Sequence, residues 1–411
     1  MKTGRALTLL CCLRVLAGAA ETLRVSSAET LQAALRSAKA GTTILIAPGE
    51  YRGYFSTGSV HGTAESPIVI AGADPAQPPV LRGTSECLHL SLVSHVILRD
   101  LVLASARTNG LNVDDGGTIT SPSHHVVLDR ITVRDIGPRG NRDGIKLSGV
   151  DDFLVRRCTV ERWGSDGSAI DMVGCHRGLI TDSTFRHDEG RGASGIQAKG
   201  GSCDILVYRC RFQAAGQRAV NMGGSTGAAY LRPKSPGYEA KQIVALGNTF
   251  IGSMAPVAFV SSDECSAAFN TVCRPTAYAL RILQEARGPE FVPCRNGVFQ
   301  GNLVVWRWRD LRVACNVGPN TAPDTFRFSG NWWYCEDRPT RSQPDLPTPE
   351  TDGVVGQDPG IRAQDLSVVA PGLSNHGAGA KRVAEEAAKL GPRLAPWAWE
   401  RDHEMQKTDA K

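Results

Sequence analysis

Several ionisable side chains recur at spacings that would gather them if this chain winds into repeating coils. Lys199, in QAKGGS, ends a short alternating segment, and Gly200 and Gly201 leave room beside it. An amine crowded by other cations, here Arg142, Lys146 and Arg218, loses proton affinity and can act as a general base near neutral pH. Asp143 and Asp171 lie about one coil apart. They could share a hard cation such as Ca²⁺ with a backbone carbonyl or Asn221, or pair with Arg142 and Lys146. Arg218 and Arg281 offer planar forks of donors for a carboxylate, or cross-links between coils. Gln197, Tyr230, Arg232, Glu239 and Lys241 extend the polar set, while Trp163, Tyr230 and Trp306 offer apolar faces for a ring.

Those groups meet only if something stacks them, and the sequence repeats in a way that does so. RCTV at 157–160, DSTF at 182–185, RCRF at 209–212 and GNTF at 247–250 align with FNTV at 269–272, GNLV at 301–304 and GNWW at 330–333. Cys158, Ser183, Cys210, Asn248, Asn270, Asn302 and Asn331 fall at one position of the repeat, spaced by 25, 27, 38, 22, 32 and 29 residues. Three short strands and three turns per coil give a period in the twenties, with longer intervals holding inserted loops. The fold class expected is therefore all-β: a single-stranded right-handed parallel β-helix, a solenoid with an N-terminal cap. Small or amide residues stacked at one bend can hydrogen-bond along the axis, which a β-sandwich does not require.

A second series precedes those bends: GLNV at 110–113, GIKL at 144–147, AIDM at 169–172, GIQA at 195–198 and AVNM at 219–222. Strand alternation turns Ile145, Ile170, Ile196 and Val220 inward and Lys146, Asp171, Gln197 and Asn221 outward. With coils about 4.8 Å apart, the outward groups form a polar strip on one sheet. Lys199 lies on the same face by alternation. Loops after 219–223 and around 284–296 would wall the strip.

The apolar run ALTLLCCL after Lys2 and Arg5, followed by AGAA at 17–20, reads as an export signal over 1–20. Residues 21–378 then form the β-helix domain with its capping elements, and 379–411 a peripheral helix and tail. ETLQAALRSAKAG at 29–41 has the amphipathic pattern of a cap over the open end of the solenoid. Export without a later apolar run long enough to span a membrane places the chain in a secreted or periplasmic setting. Loss of Lys2, Arg5 and Arg14 lowers the formal charge from +5 to +2, which offers nothing to a nucleic acid. Of 12 cysteines, Cys11 and Cys12 lie in the signal, and the rest form no CxxC pairs. Several recur at the coil spacing as small inward side chains, and no disulfide pairing follows from the sequence.

The stretch SGIQAKGGSCDILVYRCRF at 194–212 resembles the central coil of secreted β-helical polysaccharide lyases related to chondroitinase B and the alginate lyases. The resemblance in fold covers roughly 22–378, that in the catalytic segment about 190–225. It implies β-elimination on a uronic-acid polymer, with Lys199 as the general base at C5 and Arg218 assisting at the leaving oxygen; the chain itself is expected to act as a monomer. Calcium or arginine would neutralise the substrate carboxylate, and no organic cofactor is implied. The relatives carry acidic metal ligands just upstream of their lysine, where this chain has Gly192, Ser194 and Gly195. Neutralisation would fall instead to calcium on Asp171, to Arg218 or to Arg281.

Other functions draw on the same residues. A glycoside hydrolase needs two carboxyl groups about 5–5.5 or 6.5–9.5 Å apart, for which Asp143, Asp166 and Asp171 are candidates. A uronate C5-epimerase begins with the same proton abstraction. A non-catalytic carbohydrate-binding β-helix would use the strip for affinity alone.

Overall fold

In a computed structural model the described residues are 21–188, 191–360 and 380–410, so the expected signal segment at 1–20 lies outside them. From Glu21 onward every strand pairing is parallel, each strand beside its equivalent one coil away. This is the expected parallel β-helix, and its register matches the two series read from the sequence.

The first of three sheets contains Leu111–Asp114, Ile145–Ser148, Ser168–Val173, Ser194–Lys199, Arg218–Gly223, Ala255–Val260, Tyr278–Leu283 and Val313–Val317. Ile145, Ile170, Ile196 and Val220 stack inward and are buried, as alternation requires. The second sheet includes Val150–Arg156, His176–Thr181, Ser202–Tyr208 and Ala240–Leu246. The third includes the short strands Thr159–Glu161, Thr184–Arg186, Arg211–Gln213 and Thr249–Ile251. Inside it Phe185, Phe212 and Phe250 stack with ring centroids 5.0 and 4.8 Å apart.

The bend between the second and third sheets shows why the repeat has its composition. Arg157, Asp182, Arg209, Gly247, Phe269, Gly301 and Gly330 all adopt positive φ there. That turn points the next residue into the core, and those next residues are Cys158, Ser183, Cys210, Asn248, Asn270, Asn302 and Asn331. Asn248, Asn270 and Asn302 each donate from Nδ2 to the Oδ1 of the next amide at 2.9–3.0 Å, and each also donates to a backbone carbonyl. Asn331 ends the ladder on Glu350. Cys158 and Cys210 donate their thiols to backbone carbonyls instead. All ten described cysteines are free, and burial pushes the Cys158 thiol up to about 12, so it is an inert packing group.

Helix α1, Ala28–Ser37, closes the N-terminal end through Leu31, Ala34 and Leu35, with Ser27 and Thr30 forming a reciprocal capping box. At the other terminus the structure departs from the expected peripheral helix and tail. Helices α2, Ala380–Leu394, and α3, Pro396–Asp409, lie across the outer face of the second sheet. Val383, Ala387, Leu394 and Ala398 pack there on Ile97, Val127, Leu154, Leu179 and Leu206. Arg156, 2% exposed, reaches outward to Asp402 at 3.1 Å and Asp409 at 2.8 Å. No helix among the described residues is long and apolar enough to cross a membrane.

Candidate active site

Strand register places the outward residues of the first sheet in one column: His89, Asn112, Lys146, Asp171, Gln197, Asn221, Ala258, Arg281 and Asn316. A parallel column, two residues further along each strand, carries Ser91, Asp114, Ser148, Val173 and Lys199. The expected strip exists, with one side chain per coil. Its centre is a four-charge cluster. Lys146 Nζ is in direct contact with Asp171 Oδ2 and stands 3.7 Å from Asp143 Oδ2. Lys199 Nζ approaches Asp171 Oδ1 at 3.1 Å and Gln197 Oε1 at 3.4 Å.

Burial sets the electrostatics. Asp143 and Asp171 are 3% and 1% exposed. Burial, reinforced by the Asp171 charge, pushes the Asp143 carboxyl above the ordinary range, while its Oδ1 accepts the Ser168 amide at 2.8 Å. Burial acts in the same sense on Asp171, but Lys146 and Lys199 outweigh it and hold that carboxyl below its usual range. Lys146 loses proton affinity to burial and regains more from Asp171 and Asp143. When Asp143 is protonated the cluster carries a net positive charge at the floor of the strip.

This arrangement does not fit the calcium site expected at Asp143 and Asp171. Their facing oxygens already hold two ammonium groups, and a dication would have to displace both. The neighbours expected to surround Lys199 are also different. Arg142 is exposed and turns to the Asn141 carbonyl. Arg218 pairs with Glu285 at 2.5 Å. It begins its strand while Lys199 ends the adjacent one, a separation of about 16 Å along the strand direction. Arg218 therefore does not assist at Lys199.

Two other expected binding residues are scaffolding. Arg232 clamps Asp151 with both terminal nitrogens at 2.7 and 2.6 Å and also donates to the Gly174 carbonyl. Glu239 is fully buried and accepts the amides of Gly200 and Thr226, both at 2.7 Å. Together they fix the loop that closes over the turn after Lys199. Gly200 and Gly201 have φ of +68° and +86°, and a Cβ on Gly201 would collide with the Arg232 carbonyl. Tyr230, 69% exposed, tops that loop beside the strip. Asn221 is 1% exposed and its Oδ1 makes no hydrogen bond, so it offers almost no surface to a ligand. Arg281 holds Asn316 at 2.9 Å and lies over the Tyr278 ring. Trp163 and Trp306 are core residues rather than ring platforms, and Asp166 is an exposed turn residue.

One cluster was not anticipated. His89 Nε2 lies 2.6 Å from Asp114 Oδ2, and His89 Nδ1 lies 2.8 Å from the hydroxyl of Tyr54. Glu86 Oε2 stands 3.4 Å from the same Nδ1, and Ser91 donates to Asp114 at 2.6 Å. The hydrogen bond to Asp114 holds His89 above the ordinary histidine range despite burial. The sequence signal was available, since CLHL at 87–90 is the outward series extended one coil before GLNV.

No family model matches this chain, and no curated protein matches it. Solved structures do. A lacto-N-biosidase of glycoside hydrolase family 136 from Eubacterium ramulus is 13% identical, with a TM-score of 0.53, over 82% of this chain and 68% of that one. An alginate lyase from a Paenibacillus species is 20% identical, with a TM-score of 0.48, over 74% of this chain and all of that one. A pectate lyase is 10% identical, with a TM-score of 0.49, over 74% of this chain and 79% of that one. What the chain shares with such structures is the parallel β-helix.

Proposed function

We propose that the chain is an exported polysaccharide lyase that cleaves a uronic-acid polymer by β-elimination in this strip. The observation that carries the reading is the convergence of Lys146 and Lys199, from different coils, on the single buried carboxylate of Asp171. A polymer lying along the helix axis meets a new outward side chain about every 4.8 Å, a spacing close to one sugar per coil. Lys146 holds the uronate carboxylate, which makes the proton at C5 more acidic. Lys199, once it has given up its own proton and its contact with Asp171, takes that proton as the amine. The electron pair becomes the C4–C5 double bond, and the glycosidic oxygen leaves C4 and takes a proton from the newly formed Lys199 ammonium or from water.

The same geometry argues against hydrolysis by the groove aspartates. Asp143 and Asp171 are buried and committed to lysines, so neither presents an oxygen to a glycosidic bond. A second location for the proton transfer rests on the hydrogen-bonded series Tyr54–His89–Asp114, whose phenol is 43% exposed. It lies four coils from the Lys199 row, so the two centres are separable by substitution. Lys199→Arg keeps the charge and removes the base. If Lys199 is the base, this variant loses turnover with KM little changed, whereas His89→Gln retains turnover. The opposite pattern would move the chemistry to Tyr54 and His89.

A further inference from the structure

A second cluster lies at the start of the second sheet, just past its bend from the first. His95 and His125 occupy equivalent positions in adjacent coils, with rings stacked 4.4 Å apart. His124 meets both rings edge-on, at 5.6 and 4.9 Å. In a regular strand His124 and His125 would point to opposite faces. Here the φ of His125 is +57°, matching +52° at His95, and the turn brings all three imidazoles to the outside. One nitrogen from each can be chosen so that all three lie within 4.8 Å of one another.

The same bend in the following coils is built differently. Asp152 and Arg177 take the left-handed positions there, and Arg177 binds both Asp151 and Asp152. Those coils neutralise the bend with ion pairs. At the histidines the nearest equivalent is one Nδ1–Nδ1 contact of 2.8 Å between His124 and His125. Helix α3 roofs the cluster through Trp397, whose ring meets His125 edge-on at 4.7 Å. A cleft of about 190 Å³ opens beside it, with Glu400 and Glu404 on its wall.

We infer that His95, His124 and His125 bind one divalent transition metal of the zinc class, with the fourth coordination position facing this cleft. Three neutral imidazoles suit a borderline cation, and all three are partly solvent-accessible, so an ion can enter without unfolding. Closing nitrogens now within 4.8 Å around an ion with bonds near 2.0–2.1 Å requires only side-chain rotation. The site is separate from the polar strip and does not depend on its chemistry.

The test uses the full mature chain without an affinity tag, stripped with chelator and titrated with Zn²⁺ by calorimetry and with Co²⁺ by visible absorption. One equivalent should bind, Co²⁺ should show the intense bands of a four-coordinate site, and thermal stability should rise with metal. Outer partners of metal ligands cost about 10- to 100-fold in affinity when removed, so loss of a ligand should cost at least as much. His124→Gln and His95→Gln should each weaken Zn²⁺ binding by that factor while leaving the far-ultraviolet dichroism unchanged. If the wild-type chain binds no Zn²⁺ or Co²⁺, or if both folded variants bind as tightly as it does, the assignment fails.

Discussion

Two polar stacks in this molecule follow the same rule of one side chain per coil, and they differ in what is left over. At the inner bend Asn248, Asn270, Asn302 and Asn331 bond to one another and to the backbone, and all are essentially fully buried. On the first sheet His89, Asn112, Lys146, Asp171 and Gln197 change chemical type at every step, and all but the buried Asp171 stay partly open. Repetition of one residue type closes a hydrogen-bond ladder and serves the fold. Variation along the column leaves partly open groups of different kinds, which the proposed function assigns to a ligand lying on the sheet.

The largest expected effect sharpens this contrast on the open side. Lys199→Arg should lower kcat by about 10²- to 10⁴-fold, the range of a lost general base, with the melting temperature nearly unchanged. Comparing steady-state kinetics with a thermal melt separates the two readouts. Next in size, Asn270→Ala removes two donated bonds and orphans the Asn248 groups that its Oδ1 accepts. It should cost about 3 kcal/mol in a denaturant titration while leaving turnover per folded molecule intact. A ladder variant that lost turnover without losing stability would break the division between the two stacks.

Asp143→Asn probes the coupling between burial and charge at the cluster. A carboxyl held above its ordinary value stabilises the fold while protonated, and that contribution disappears as pH rises through its folded-state value. For Asp143 the window runs from 3.8 to about 6. Stability of the variant, measured by melts across that window, should decline less with rising pH than that of the wild type. An unchanged slope would show that the Asp143 proton is not linked to folding. The smallest effect belongs to Tyr230→Ala, at the tip of its loop. Stability should move by no more than about 0.5 kcal/mol, and any rise in KM should appear only with longer substrates.

Periodicity made the fold readable, and it made the strip readable where each coil contributes a residue at a fixed position. Lys146, Asp171, Gln197 and Asn221 fall into register because alternation has a period of two. Sequence spacing did not reveal which long side chains reach across a coil, so the Lys199–Asp171 pair and the Arg218–Glu285 pair emerged only from the structure. Arg232 and Glu239 belong to an inserted loop with no period, and their buried partners lie far away in sequence. Tyr54 was hidden by a register shift between Gly53 and Phe55, which takes it out of the series that His89 continues. The covering helices α2 and α3 leave their own mark in the strands beneath them. FLV at 153–155, ILV at 205–207 and IVAL at 243–246 are apolar on both faces, the pattern of strands buried from both sides.

The most direct test of the polar strip as a uronate-cleaving site follows ultraviolet absorbance while the chain acts on a panel of uronic-acid polymers. Growth of the absorbance of a C4–C5 unsaturated uronate, absent with Lys199→Arg, is the predicted result. New reducing ends without that absorbance would contradict β-elimination and return the strip to hydrolysis.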